Sequence, residues 1–224
     1  MGIAVKAHLP GVGENLQDHL QLRLVFKVSN ISTLNTQASS LYGKMKIGLE
    51  YLLHQTGPMS MSPSQLGAFA YSRVDRPNDR VDRPDLQYHV QPLSLEKFGE
   101  DLHTFNAFTA SVCNIRPTSR GTVHIRSTDF LAPPVIQPNY LSTDEDKEVA
   151  AASILLTRDI VSSDAFLPYK PGEYKPGSEY VRYLFSSYLP VKFSFFCMKK
   201  MKLFPSDFHI IFAFFKIMSF LFTY

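Results

Sequence analysis

Phe105-Asn106-Ala107-Phe108-Thr109-Ala110-Ser111-Val112-Cys113-Asn114-Ile115-Arg116 is the longest alternating stretch in the chain. Phe108, Ala110 and Val112 fall on one side, and Thr109, Ser111 and Cys113 on the other. A period of two over this length predicts a strand long enough to sit centrally in a sheet. Thr118-Ser119-Arg120-Gly121 follows as a turn, and Val123 and Ile125 alternate with His124 and Arg126 beyond it. The pair predicts an antiparallel hairpin between residues 105–116 and 122–127. On this strand Cys113 reads as a small buried hydrophobe, not a nucleophile.

Working outward, more strands appear. Residues 20–28, 65–73 and 85–92 show the same alternation, and Ile3, Val5 and Ala7 predict a short strand near the start. Residues 44–54 place Met45, Leu49 and Leu52 on one helical face before Gly57-Pro58 stops the helix. Pro133-Pro134 to Pro138 must be extended. Ser142 with Glu145 three residues on predicts a capping box opening a second helix, whose apolar stripe is Val149, Ala152, Leu155, Leu156 and Ile160. Residues 168–177, with three prolines and two glycines, read as loop. So do residues 73–84, which repeat Arg-Val-Asp-Arg-Pro twice. Antiparallel strands with a few helices predict an α+β fold.

The formal charge of +3 on the 224 residues is unevenly spread. Residues 1–180 carry 17 Lys/Arg against 19 Asp/Glu, whereas residues 181–224 carry 6 against Asp207 alone. The main body therefore offers no basic footprint for nucleic acid. Eleven of the 18 phenylalanines also lie beyond residue 180, and no glycine follows Gly177. Residues 178–224 thus read as a separate hydrophobic, basic tail. Its last 17 residues fall short of the roughly 20 apolar residues a bilayer span needs. The basic group at 199–202 would suit an interfacial anchor. The composition equally matches read-through of AT-rich non-coding DNA, the reading adopted here. Two cysteines, Cys113 and Cys197, exclude a disulfide scaffold, and Met1 to Val5 carry no positive leader region.

Little self-contained chemistry is visible. Gly11-Val12-Gly13 begins a dinucleotide fingerprint, but position 16 is Leu. No HExxH or GxSxG occurs, and the seven histidines lack metal-ligand spacings, so no metal is expected. Asp18-His19 is an arrangement in which a carboxylate can orient an imidazole, or simply make a structural hydrogen bond.

Several segments in order nevertheless resemble one family. Leu9 to His19 is similar to the GVGxNLxDH segment of the glucose–methanol–choline (GMC) flavin oxidoreductases, especially the choline dehydrogenase-like members. Thr56-Gly57-Pro58, Pro84-Asp85-Leu86-Gln87-Tyr88-His89, Arg116 to Val123 and Pro138-Asn139-Tyr140-Leu141 with Asp146 resemble later family motifs. The resemblance implies an FAD enzyme that oxidises a small-molecule alcohol, in which a substrate domain built on an antiparallel sheet covers a flavin domain. It divides the chain into the end of the flavin-domain connection (1–19), a partial substrate-binding domain (20–177) and the tail (178–224). The family's GxGxxG motif and its catalytic histidine segment have no counterpart here, so the expectation is a fragment, inactive by itself and without a catalytic residue. The alternative is a non-catalytic binding module tethered to a membrane through 199–224. By position, the resemblance implies that Asn15, Asp18 and His19 bind the cofactor or brace the interface with its domain, and that His89, Gln87 and Phe98 line the substrate pocket. An aromatic side chain such as Phe98 would suit a quaternary ammonium. Mitochondrial and cytoplasmic locations both accord with the family.

Overall fold

The structure is a computed structural model that describes residues 2–74, 83–97 and 99–177. The tail, Cys197, Phe98 and most of the Arg-Val-Asp-Arg-Pro repeat lie outside these residues. In chain order the elements are β1 (Gln21–Lys27), α1 (Leu34–Gln37), α2 (Leu41–His54), β2 (Leu66–Ala70), β3 (Leu86–Gln91), β4 (Ala107–Asn114), β5 (Thr122–His124), β6 (Val135–Gln137), α3 (Asp144–Val161) and β7 (Gly172–Lys175). Five strands form one antiparallel sheet in the order β2-β3-β4-β1-β7.

The predicted central strand is central: β4 lies third of five. That position is also why the predicted hairpin does not form. Both edges of β4 are taken, by β1 and β3, so β5 pairs instead with β6 in a separate two-stranded sheet. The turn region is pinned by Gly121, whose backbone bridges Leu16. A Cβ there would lie 2.0 Å from the Gln137 carbonyl oxygen, so only glycine lets the β6 strand pass so close.

Alternation sorts the sheet into two unlike faces. Leu22, Leu24 and Phe26 of β1, Leu66 and Ala70 of β2, Leu86, Tyr88 and Val90 of β3, and Phe108, Ala110 and Val112 of β4 form the core. Val149, Ile154, Ile160, Val161 and Phe166 close it from the α3 side. Phe108 stacks between Phe26 and Phe166 at centroid distances of 5.2 and 5.7 Å, a favourable aromatic spacing. Small polar side chains let α3 approach. Thr157 Oγ1 donates to the Ser153 carbonyl at 2.7 Å and shares a hydrogen bond of 3.0 Å with the buried Tyr88 hydroxyl. The buried stripe therefore runs through Val149, Ser153 and Thr157, while Ala152 and Leu155 are only half-buried.

Four other expectations are corrected. The helix cap is Thr143, one residue later than Ser142: its hydroxyl accepts from Asp146 N at 3.3 Å, while Ser142 N donates to Ser119 Oγ at 3.0 Å. Residues 172–175 form a strand, because the β1 edge is open to them and Glu173 reaches back to Arg158 of α3. Residues 3–7 are exposed and pair with nothing in a sheet, having no strand edge beside them. The predicted helix at 44–54 begins earlier, at Leu41, because the Ser40 hydroxyl accepts from Gly43 N at 3.0 Å.

Candidate functional site

The face opposite α3 has a different chemistry. Adjacent positions across the strands form rows, because their registers coincide. One row runs Gly67, His89, Ser111, Arg23. The next runs Phe69, Gln87, Cys113, Gln21. A third contains Gln91, Thr109 and Val25. Ser111 and Cys113 are buried at the centre, and Arg23, His89 and Gln87 are half-buried around them. The predicted substrate residues Gln87 and His89 are thus brought together on one face. Neither side chain makes a hydrogen bond to another described residue. Gln91 Nε2 donates to Ser64 Oγ at 3.0 Å, but its Oε1 is buried without a hydrogen-bond partner. Such an acceptor is costly to leave unmet, and it lies two residues from His89 on the same face. Cys113 is free and buried, and its thiol approaches the Gln87 carbonyl at 3.7 Å. Burial pushes that thiol up, which makes it a poor nucleophile.

The loop from β3 to β4 edges this face with a second hydrogen-bonded unit. Ser94 Oγ lies 2.9 Å from His103 Nδ1, and His103 Nε2 lies 3.3 Å from Glu96. Ser94 is fully buried, and Asn35 Nδ2 donates to the carbonyls of Ser94 and His103 at 3.0 and 2.7 Å. A serine, a histidine and a carboxylate stand in line here, yet no substrate carbonyl could reach the buried hydroxyl. The unit ties the loop to α1. Glu96 also pairs with Lys175 of β7. Those two bonds, Lys175 first, hold its carboxyl below the usual range.

The predicted cofactor residues lie elsewhere. Asp18 lines a small cleft on the α3 side with Leu22, Val112, Tyr140, Asp146 and Ser153. Its carboxylate accepts from the Tyr140 hydroxyl and from His19 N. It does not orient the His19 imidazole. The Tyr140 hydroxyl, then the His19 backbone bond, hold Asp18 below its usual value, and the same contact raises Tyr140. Asn15 is exposed with a left-handed φ of 60°, which asparagine tolerates. The segment is fastened to Gly121 by Leu16. Among the described residues no group of three His, Cys, Asp or Glu could hold a metal ion. No described helix is long and apolar enough to cross a membrane.

Sequence comparisons meet this geometry. The GMC oxidoreductase family profile matches residues 117–188. The oxygen-dependent choline dehydrogenase of Brucella anthropi is 36% identical over 177 residues, covering 79% of this chain and 31% of the relative. The mitochondrial choline dehydrogenase of Homo sapiens is 37% identical over 178 residues, covering 80% and 29%. The chain belongs to the GMC oxidoreductase family. It spans about a third of the length of the curated relatives it matches. Its fold is that of GMC flavoenzymes. A formate oxidase superposes with a TM-score of 0.66 at 18% identity, over 79% of this chain and 36% of the other. An FAD-dependent oxidoreductase from Chaetomium thermophilum does so with 0.63 at 18%, over 81% and 37%. The expected α+β substrate-domain architecture of the family is therefore present.

FAD, which the family implies, carries a pyrophosphate that needs backbone N–H groups at a helix N-terminus. The described residues do not fit that part of it. The first turn of α3 carries Asp144, Glu145 and Asp146, whose charge would repel phosphate. The opening of α2 uses the Ser40 hydroxyl on its own Gly43 N–H. Arg23, Ser111 and Gln91 are the face residues that sequence reasoning missed. Arg23 occupies a polar alternate position in its strand, but only the register of three strands brings it into the row of His89.

Proposed function

We propose that this chain supplies the substrate-facing sheet of an FAD-dependent alcohol oxidoreductase. The observation that carries the reading is the division of the sheet. α3 and the core occupy one face, and half-buried, hydrogen-bond-competent side chains collect on the other. Gln87 and His89 contact the alcohol there. When bound, FAD accepts hydride from the alcohol carbon. The part of this chain is to bind and orient the alcohol. Asn15, Asp18 and His19 brace the junction with the flavin-binding part of the enzyme, a role supported by the Asp18–Tyr140 and Leu16–Gly121 contacts. Similarity to the choline dehydrogenases supports oxidation of a CH–OH donor.

The test is backbone amide NMR of the full chain titrated with small alcohols. Saturable shifts should concentrate at Gln87, His89, Gln91 and Ser111. Shifts confined to α3 or to the Asp18 cleft would contradict the proposal.

A further inference from the structure

α2 turns its apolar side outward. A helix advances about 100° per residue, which puts Gly43, Ile47, Glu50 and His54 on one side and Leu41, Tyr42, Met45, Leu49, Leu52 and Leu53 on the other. The first side meets neighbouring parts of the chain. A Cβ on Gly43 would lie 1.9 Å from the Gln37 carbonyl oxygen. Glu50 accepts from Thr56 Oγ1 at 3.3 Å and fills the space beside Gly57. The second side is an arc about 120° wide, and its six apolar side chains are between 51% and 77% exposed. A Cβ on Gly48, at the edge of this arc, would meet nothing within 4 Å. No residue of α2 is buried. A surface helix ordinarily packs such a stripe against the core.

We infer that this arc lies in the surface of an anionic lipid bilayer, with α2 parallel to the membrane plane. Charge points to that occupant. Lys44 and Lys46 flank the arc, one on each side, and both are exposed. Their long stems can run beside inserted leucines and leave the ammonium groups among lipid headgroups. The one carboxylate of α2, Glu50, is turned away with Thr56. A second copy docked through the same arc would set one lysine rim against another. Anionic headgroups meet that rim with opposite charge. The 14 residues make a rod about 21 Å long, which suits an in-plane helix and not a span. Position agrees. α2 follows α1, which is tied to Asn106 and Pro92 at one end of the sheet. Asp18 and Tyr140, at the junction proposed for the flavin-binding part, lie at the other end beside Asn114.

The chain contains no tryptophan, so single indoles report on each side of the helix. Leu52→Trp places one in the arc, and His54→Trp places one on the opposite side. Each full-length variant is mixed with vesicles of phosphatidylcholine alone or of a two-to-one mixture of phosphatidylcholine and phosphatidylserine. With the mixed vesicles the Leu52→Trp emission should shift to the blue and be quenched by brominated acyl chains, and the His54→Trp emission should do neither. Binding to mixed vesicles should be about tenfold or more tighter than to phosphatidylcholine, the scale of two lysines at a charged surface. Lys44→Gln with Lys46→Gln should remove most of that difference. Leu49→Gln with Leu53→Gln should weaken binding to the mixed vesicles by about tenfold or more. Vesicle binding that these four substitutions leave unchanged would move the contact to residues 199–224 and overturn the inference. An indole at position 52 already blue-shifted without vesicles would show the arc covered by protein, and would overturn it as well. So would equal binding to both kinds of vesicle, or binding to neither.

Discussion

Asp146 concentrates more of the fold than any other single side chain. It is buried at the third position of α3, and its one carboxylate meets both a loop and a strand end. It accepts from Ser119 N at 2.8 Å, Thr118 N at 3.0 Å and Asn114 Nδ2 at 3.1 Å. Burial alone would raise its pKa, but the hydrogen bonds from Ser119 and Thr118 outweigh burial and hold it below 3.8. A depressed carboxyl contributes stability above its unfolded pKa and loses it as pH falls through the folded one. Asp146→Ala should therefore cost about 2–3 kcal/mol at neutral pH, because it strands two buried N–H donors. In urea titrations the wild-type advantage should shrink below about pH 4. A variant as stable as wild type would show that these contacts are incidental. Tyr88 gives the opposite pH signature. Burial pushes its hydroxyl up to about 12, partly offset by the Thr157 contact. Stability should thus be intact below pH 10 and fall as pH rises through about 12, and Tyr88→Phe should remove that alkaline loss. Spectroscopic titration in which every tyrosine ionises near 10 would contradict this burial.

Among the elements, α3 and β7 depend on each other. Arg158 Nε and Nη2 each donate to Glu173 at 2.7 Å, and Glu173 also accepts from Gly177 N at 3.1 Å. Both side chains are largely buried. Arg158→Ala should cost about 3 kcal/mol, since it leaves a buried carboxylate unpaired. Arg158→Lys should recover only part, because one ammonium cannot match the fork. Equal stability of the lysine variant and wild type would mean that the second bond contributes nothing. This pairing explains why β7 was hidden in the sequence. Four residues flanked by Pro171 and Pro176 read as loop, and only the open edge of β1 and a partner fifteen positions earlier in the chain make them a strand. β4 and α3 were legible because their periods run for two turns or more. The hairpin was misread because local sequence shows which strands exist, but not which edges are free. α2 teaches the same point from the other side. Leu41, Tyr42, Met45, Leu49, Leu52 and Leu53 follow a helical period but are all exposed, so the pattern alone does not say what it packs against.

For the molecule as a whole, the family was legible from short ordered motifs, of which Leu9 to His19 is the longest. The site was legible only in part. His89 and Gln87 could be named from their motif, and they share a face. Arg23 could not, because its relation to His89 passes through β4, whose register no local pattern encodes. The motif residues Asp18 and Leu16 hold the segment against Tyr140 and Gly121, with Asp18 on the α3 side of the sheet. Motif matching alone does not separate a bracing role from a ligand-binding one. On this account the chain contributes the alcohol-facing wall, while the described residues offer no cradle for pyrophosphate. The most direct measurement is the flavin content of the purified 224-residue chain after dialysis against buffer, read from visible absorbance and protein concentration. The account predicts no retained flavin, whereas one equivalent of FAD per chain would contradict it.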